Sequence, residues 1–171
     1  MKTDDYLYYA NRAFDGMCQI AVGLGDDLAN RRPNVPGANT AYGLIVHCIG
    51  VANYWAGALV AGRAVERDRD AEFVATGPTA KLVSLVEAAK AQLAADVAEA
   101  DFEAPLRREP APQFKGPPRE PSSQGAVLLH VLEELYQHYG QLELIRDVLR
   151  VESAAAARAA GTAADQAPPL T

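Results

Sequence analysis

Apolar residues recur along four segments of this chain at mixed spacings of three and four, the period that predicts amphipathic helices. The segments cover about residues 3–28, 39–62, 79–100 and 123–150. Residues with β-branched side chains are scattered and alanine is abundant, so strand signals are nearly absent. Four amphipathic helices of this length predict an all-α fold, a four-helix bundle.

Residues that can satisfy free backbone groups stand at the predicted starts of three of these helices. Asn39 or Thr40 can accept hydrogen bonds from the first free amides of the second helix. Pro78 suits the first turn of the third helix, where its missing N–H leaves no partner unsatisfied. Ser122 or Ser123 is expected to cap the fourth helix.

Two connecting segments and the C-terminal stretch lack helical periodicity. Residues 63–72, RAVERDRDAE, are expected to form a charged and solvated connection. Residues 101–121 are rich in proline and are expected to form an ordered loop that packs over one end of the bundle. Residues 151–171 carry few bulky apolar side chains, which predicts a flexible tail after one domain of residues 1–150.

The composition is that of an ordinary soluble protein, with 49% hydrophobic residues, 22% charged residues and a formal net charge of −6. This acidic balance argues against a nucleic-acid partner, which a basic surface would attract. No apolar run is expected to approach the roughly 20 residues that span a bilayer, and the first residues lack the features of a signal peptide. We therefore expect a cytoplasmic protein with no membrane partner, whose Cys18 and Cys48 stay reduced and buried.

All three histidines of the chain fall on core-facing rows of the predicted helices. Residues four apart on a helix lie nearly above one another, so His130, Glu134 and His138 form one row beside the apolar stripe of the fourth helix. Gln141 continues this row, and His47 lies on the inward row of the second helix. Polar side chains are costly to bury without partners, so this clustering requires an explanation.

A divalent metal ion would explain the cluster. His47, Glu134 and His138 would supply two imidazole nitrogens and one carboxylate oxygen, a set that suits zinc or nickel with positions left for water or substrate. Each residue alone has a plainer interpretation, as a hydrogen-bonded core histidine or as an i, i+4 pair. The convergence of scarce histidines places one metal ion, zinc before nickel, on an equal footing with these plainer interpretations. The chain has no Glu-x-x-His, His-Glu-x-x-His or Cys-x-x-Cys motif to support another metal scheme.

His130, Gln141 and several aromatic residues are candidates for the surroundings of this metal. His130 and His138 are two turns apart, about 12 Å along the helix axis, so one ion can hardly bind both. His130 therefore either hydrogen-bonds the carboxylate of Glu134 or packs in the core. A pocket beside the metal could be lined by Gln141 and by aromatic side chains, although core packing is the simpler role for each aromatic residue. The aromatic candidates are Tyr42, Tyr54, Trp55, Tyr136 and Tyr139.

Two helical segments resemble signatures of the DinB-like metalloprotein superfamily. YGLIVHCIGVANYW, residues 42–55, resembles its second-helix signature, and LLHVLEELYQHYGQLELIRDVL, residues 128–149, resembles its fourth-helix signature. Glu134 in the earlier ligand position resembles the mycothiol-dependent maleylpyruvate isomerase branch, whose metal triad is His, Glu, His. The resemblance implies that the metal ligands are His47, Glu134 and His138.

The same resemblance implies a topology and a chemistry. Family members join the second and third helices by a long crossover, for which residues 62–77 are long enough. Their thiol chemistry implies a divalent-metal-dependent thiol S-transferase, in which the metal activates mycothiol or bacillithiol for attack on a small electrophile. Two other classes stay open. One is a non-catalytic, metal-binding stress-response bundle that forms a homodimer through an exposed helix face, and the other is a metal-dependent hydrolase.

Overall fold

The computed structural model describes the backbone of residues 2–113 and 123–165, and the side chains of those residues up to residue 160. Within these ranges the chain forms helices and no strand, and Pro105 and Ser123 form an isolated bridge. The helices are α1 (Thr3–Ala29), α2 (Ala41–Val60, α-helical over Ala41–Ala52 and π-helical over Asn53–Val60), α3 (Arg69–Val74), α4 (Thr79–Val97) and α5 (Gln124–Asp165).

The four long helices pack as a bundle, which confirms the predicted fold. Helix α1 contacts α2, α4 and α5, and α2 also contacts α4, α5 and the short α3. Each long helix buries its apolar stripe in one shared core. Cys48 belongs to this core as predicted, whereas Cys18 is only partly buried. The largest fully buried side chains are Tyr6, Phe14, Met17, Tyr42, Leu44, Ile45, Leu59, Leu82, Leu93, Leu128, Leu135 and Leu142.

Side-chain hydrogen bonds confirm two of the predicted helix starts. Thr40 Oγ1 accepts from Gly43 N at 2.9 Å, and Ser123 Oγ accepts from Ala126 N at 3.2 Å. Ser122, the other candidate for the second of these caps, lies outside the described residues. Each bond satisfies an amide that the first turn of a helix leaves without a partner.

The last helix is longer than predicted. Its expected end near residue 150 was wrong, since α5 continues to Asp165. The additional segment is rich in alanine, which has the highest intrinsic helix propensity. Its described side chains, residues 151–160, are mostly exposed, so propensity rather than core packing favours the helix there. Asn34 N donates to Glu152 Oε1 at 2.8 Å, which ties the beginning of this segment to the α1–α2 connection. The flexibility of residues 151–171 and the domain boundary at residue 150 remain predictions.

Helix α2 has the length and composition of a membrane span, so the expectation that no apolar run would approach that length was wrong. This helix is Ala41–Val60, and 78% of its most apolar 18-residue stretch is buried inside the protein. A helix that packs against three other long helices is apolar on most sides for that reason alone. Its composition is thus the composition expected of a central core helix.

The crossover between α2 and α4 covers residues 61–78 and contains α3, as the resemblance implied. It lies along three glycines of α2 that are spaced seven residues apart. Gly43 and Gly50 are two α-helical turns apart and so lie on nearly the same face. Gly57, in the π-helical part of α2, also faces the crossover. At each one, a Cβ atom would collide with a group of the crossover. The close pairs are Gly43 with Phe73, Gly50 with Glu72, and Gly57 with Arg63.

Candidate metal centre

The three side chains predicted as metal ligands meet between α2 and α5. His47 Nε2 lies 3.5 Å from Glu134 Oε2, and His138 Nε2 lies 3.5 Å from the same oxygen. One potential ligand atom from each residue lies within 4.8 Å of the other two. The i, i+4 spacing places Glu134 and His138 one above the other on α5, and the packing of α2 against α5 brings His47 to them.

Solvent reaches this cluster from the side of α5. The exposed fraction of the side chain is 3% for His47, 13% for His138 and 25% for Glu134. Phe73, near the end of α3, stacks on the ring of His47 with the ring centres 4.3 Å apart. His47 is therefore held inside the bundle, while a small molecule could approach the cluster past Glu134.

The electrostatics of the cluster favour a positive charge between the three side chains. Hydrogen bonds with His138 and His47 hold the pKa of the Glu134 carboxyl well below its ordinary value, although burial acts against them. Burial acts to lower the pKa of His47, but hydrogen bonds with Glu134 and Glu72 raise that pKa overall. The same position can hold a proton or a metal cation, and the two compete for it.

Two buried charged residues of the crossover complete the surroundings of His47. Glu72 Oε2 lies 2.8 Å from His47 Nδ1, and Arg67 donates to both carboxylate oxygens of Glu72, at 2.8 and 2.9 Å. The side chains of Arg67 and Glu72 are only 5% and 9% exposed. Burial acts to raise the pKa of Glu72, but hydrogen bonds from His47 and Arg67 lower it overall.

The expectation that residues 63–72 are solvated was therefore wrong at Arg67 and Glu72. Each of these groups would be costly to bury alone, and together they neutralise and hydrogen-bond each other. The heptad spacing of Gly43, Gly50 and Gly57 is the signal in the sequence that could have indicated this contact. Glycines on one face of an otherwise apolar helix allow another segment to approach closely, although they do not identify that segment.

Both histidines of the cluster present Nε2 to Glu134 because an acceptor occupies each Nδ1. Glu72 Oε2 accepts from His47 Nδ1, and Gln141 Oε1 accepts from His138 Nδ1 at 3.0 Å. A proton held on Nδ1 leaves the lone pair of Nε2 free for a metal ion. Gln141, predicted from its row alone, thus touches the cluster directly.

His130 lies beside the cluster and does not join it. Its Nδ1 lies 3.1 Å from Glu133 Oε2, so its hydrogen bond goes to the neighbouring glutamate on α5 and not to Glu134. Its ring meets Trp55 edge-on, with the ring centres 4.9 Å apart. Of the two roles predicted for His130, the geometry favours packing over a hydrogen bond to Glu134.

The five aromatic candidates contact different parts of the bundle. Trp55 contacts His130, and Tyr54 accepts a hydrogen bond from Ala111 N at 2.7 Å, which joins the π-helical part of α2 to the loop after α4.

Arg107 N, in the same loop, also donates to Leu59 O in α2, at 2.8 Å. The described part of the predicted loop, residues 101–113, thus packs over this end of α2, and residues 114–121 lie outside the described residues.

Tyr136 and Tyr139 contact α1, and Tyr42 packs beside the crossover. The hydroxyl of Tyr136 donates to Tyr9 O at 3.1 Å, and the ring of Tyr139 lies against Gly16. The hydroxyl of Tyr42 lies close to Gly77. These contacts give all three tyrosines packing roles. The aromatic ring that stacks on a side chain of the cluster is that of Phe73, which was not among the candidates.

The family model described as mycothiol-S-transferase matches residues 5–151. The chain belongs to the mycothiol-S-transferase family. This is a DinB-like family, as the two helical signatures indicated, and the matched range contains His47, Glu134 and His138. No curated protein and no solved structure matches the chain.

The three side chains suit a divalent metal ion in chemistry and in spacing. Ligand atoms bound at about 2 Å in tetrahedral geometry lie about 3.3 Å from one another. The two distances of 3.5 Å to Glu134 Oε2 are close to this value, and the largest separation of 4.8 Å requires a small movement of the rings. Three protein ligands leave at least one coordination position for a substrate.

Proposed function

We propose that this family member is a metal-dependent S-transferase that joins a low-molecular-weight thiol, mycothiol before bacillithiol, to a small electrophile. The observation that carries the proposal is the convergence of His47, Glu134 and His138 in a chain of the mycothiol-S-transferase family. The proposed cofactor is one divalent ion per chain, zinc before nickel. Two nitrogens and one oxygen form a ligand set that both ions accept.

Each part of the site has a role in this proposal. When bound, a divalent metal lowers the pKa of a coordinated thiol and polarises its sulfur. Glu134 and His138 stand at the more accessible side of the cluster, so the thiol is proposed to enter there. The acceptors on Nδ1 of His47 and His138 keep the two rings oriented as the thiol binds. The S–H bond of the thiol would break with release of its proton to solvent, and the sulfur would form a C–S bond with the electrophilic carbon. The leaving group on that carbon, a halide in the test below, would depart to solvent with the electron pair of its broken bond.

The test combines purified protein, zinc, mycothiol and a fluorogenic haloalkyl electrophile. We expect a thioether to accumulate faster than in the uncatalysed reaction, to stop when a chelator removes the metal, and to resume when zinc is restored. Glu134→Ala is expected to show only the uncatalysed rate. Turnover that survives both the chelator and this substitution would contradict the proposal.

The two other function classes give different results in the same assay. A hydrolase would consume a hydrolysable substrate without thiol, and the products would contain no sulfur from mycothiol. A non-catalytic bundle would bind zinc stoichiometrically and leave the uncatalysed rate unchanged. Replacing mycothiol with bacillithiol or glutathione would show which thiol the site selects.

A further inference from the structure

The crossover contacts one proposed metal ligand, His47, both at a ring nitrogen and on the face of the ring. Glu72 Oε2 lies 2.8 Å from Nδ1 of this ring, and Phe73, the next residue, stacks on its face. The other nitrogen, Nε2, points to Glu134. A single short helix, α3, thus supplies both the hydrogen-bond partner of Nδ1 and the ring that stacks on His47.

Gly50 allows the carboxylate of Glu72 to reach this position. A Cβ atom on residue 50 would occupy the space of the Glu72 carboxylate. Gly50 has an ordinary helical conformation and needs no positive φ, so its backbone does not explain why glycine stands there. Because helix interiors disfavour glycine by about 1 kcal/mol relative to alanine, a specific contact is the natural reason for its presence.

The carboxylate of Glu72 cannot move aside without losing its partners. Arg67 donates to both of its oxygens, and the two side chains are almost fully buried. A methyl group at residue 50 would therefore separate Glu72 from Arg67, from His47, or from both. The contact couples the identity of residue 50 to the orientation of His47.

We propose that Glu72 is a positioning residue for the metal centre, and that Gly50 and Arg67 place its carboxylate on Nδ1 of His47. This inference rests on the proposed metal-binding role of His47. Removing a carboxylate that hydrogen-bonds the second nitrogen of a ligand histidine typically weakens metal affinity by about 10- to 100-fold. Glu72 belongs to a segment whose charged sequence alone gave no indication of this role.

The first experiment measures zinc affinity by competition with a chromophoric chelator. We expect Glu72→Ala to weaken zinc binding by about 10- to 100-fold, and Glu72→Gln to weaken it less, because the amide oxygen still accepts from Nδ1. Gly50→Ala is expected to weaken binding as well, although it leaves every charged group in place. Gly57→Ala is the matched control, since its Cβ meets Arg63, a crossover residue that pairs with Asp96 and not with His47.

A double-mutant cycle separates positioning from a general loss of structure. If Gly50 serves only to admit the Glu72 carboxylate, Gly50→Ala should have no further effect on zinc affinity in the Glu72→Ala background. Proton NMR of the zinc-loaded protein gives an independent readout. We expect a protected Nδ1 proton of His47 in the wild type and in Glu72→Gln, and its loss in Glu72→Ala and Gly50→Ala.

The outcomes distinguish this inference from the proposed function. Equal zinc affinity in the wild type, Glu72→Ala and Gly50→Ala would overturn the inference and leave the metal centre intact. Equal weakening by Gly50→Ala and the control Gly57→Ala would also overturn it, because the effect would then be one of helix packing. A wild-type protein that binds no zinc would contradict both the metal centre and the positioning role.

Discussion

Gln141 Oε1 accepts a hydrogen bond from His138 Nδ1 at 3.0 Å. Gln141 lies one turn after His138 on α5, and it holds the ring nitrogen of His138 that faces away from Glu134. Side chains that orient a ligand histidine typically change metal affinity by about 10- to 100-fold when removed. We expect Gln141→Leu to weaken zinc binding, with an effect near 10-fold because the pair is partly exposed to water. Chelator competition measures the affinity.

Gln137→Leu provides the control for that experiment. Gln137 is exposed on the same helix, directly before His138 in sequence. The two variants make the same chemical change about one turn apart on α5, and Gln141 is the one of the two that hydrogen-bonds His138. Equal zinc affinity in both variants would show that Gln141 does not orient the ring.

The roles assigned to His130 and Glu134 predict opposite results for their alanine variants. Glu134→Ala removes an oxygen that lies 3.5 Å from both imidazoles of the cluster, so we expect no stoichiometric zinc to remain. His130→Ala removes a ring that contacts Trp55 and Glu133, so zinc binding should be retained, with at most a modest loss of affinity. Metal analysis of the purified variants measures both. Complete loss of zinc in His130→Ala would contradict the assignment.

The faces of the long helices could be predicted from sequence because they depend on local geometry. The spacing of Glu134 and His138 places them on one row of any α-helix, and the apolar row through His47 points it to the core. Nothing beyond helical period and packing is needed to bring these three side chains together. The candidate site was predictable for this reason.

The part of the site that lies in the crossover depends on tertiary contacts. Glu72 is 25 positions from His47, and its burial depends on Arg67 and on the space left by Gly50. A charged segment is normally solvated, so local composition gives the wrong expectation unless all three contacts are known. The π-helical winding of Asn53–Val60 likewise has no distinct apolar period that would have predicted it.

Asp26 gives the bundle a pH-dependent contact that is independent of the metal centre. Its Oδ1 accepts from the amide and the hydroxyl of Thr79, at 2.8 and 2.7 Å, and these bonds cap the start of α4 immediately after Pro78. They hold the pKa of the Asp26 carboxyl below its ordinary value. A carboxyl whose pKa is lower in the folded protein than in the unfolded chain stabilises the fold at pH values above its unfolded pKa. This stabilisation is lost as the pH falls through the pKa of the folded state.

We therefore expect Asp26→Asn to lower the melting temperature at pH 7, and the difference from the wild type to shrink as the pH falls below about 4. Thermal unfolding followed by circular dichroism at several pH values measures this difference. Asp27→Asn is the control, because the neighbouring Asp27 is exposed. A difference that stays constant between pH 7 and pH 3 would show that the charge of Asp26 is not what stabilises α4.

Metal binding should also stabilise the whole bundle, because the proposed ligands join two helices that are far apart in sequence. His47 lies on α2 and the other two ligands lie on α5, so an ion held between them opposes the separation of these helices. A ligand that binds only the folded state stabilises it by about 2.7 kcal/mol when its free concentration is 100 times the dissociation constant. We expect zinc to raise the melting temperature of the wild type, a chelator to reverse the rise, and His47→Ala to show no change with zinc. A similar rise in His47→Ala would mean that zinc binds elsewhere, and the ligand assignment would then be wrong.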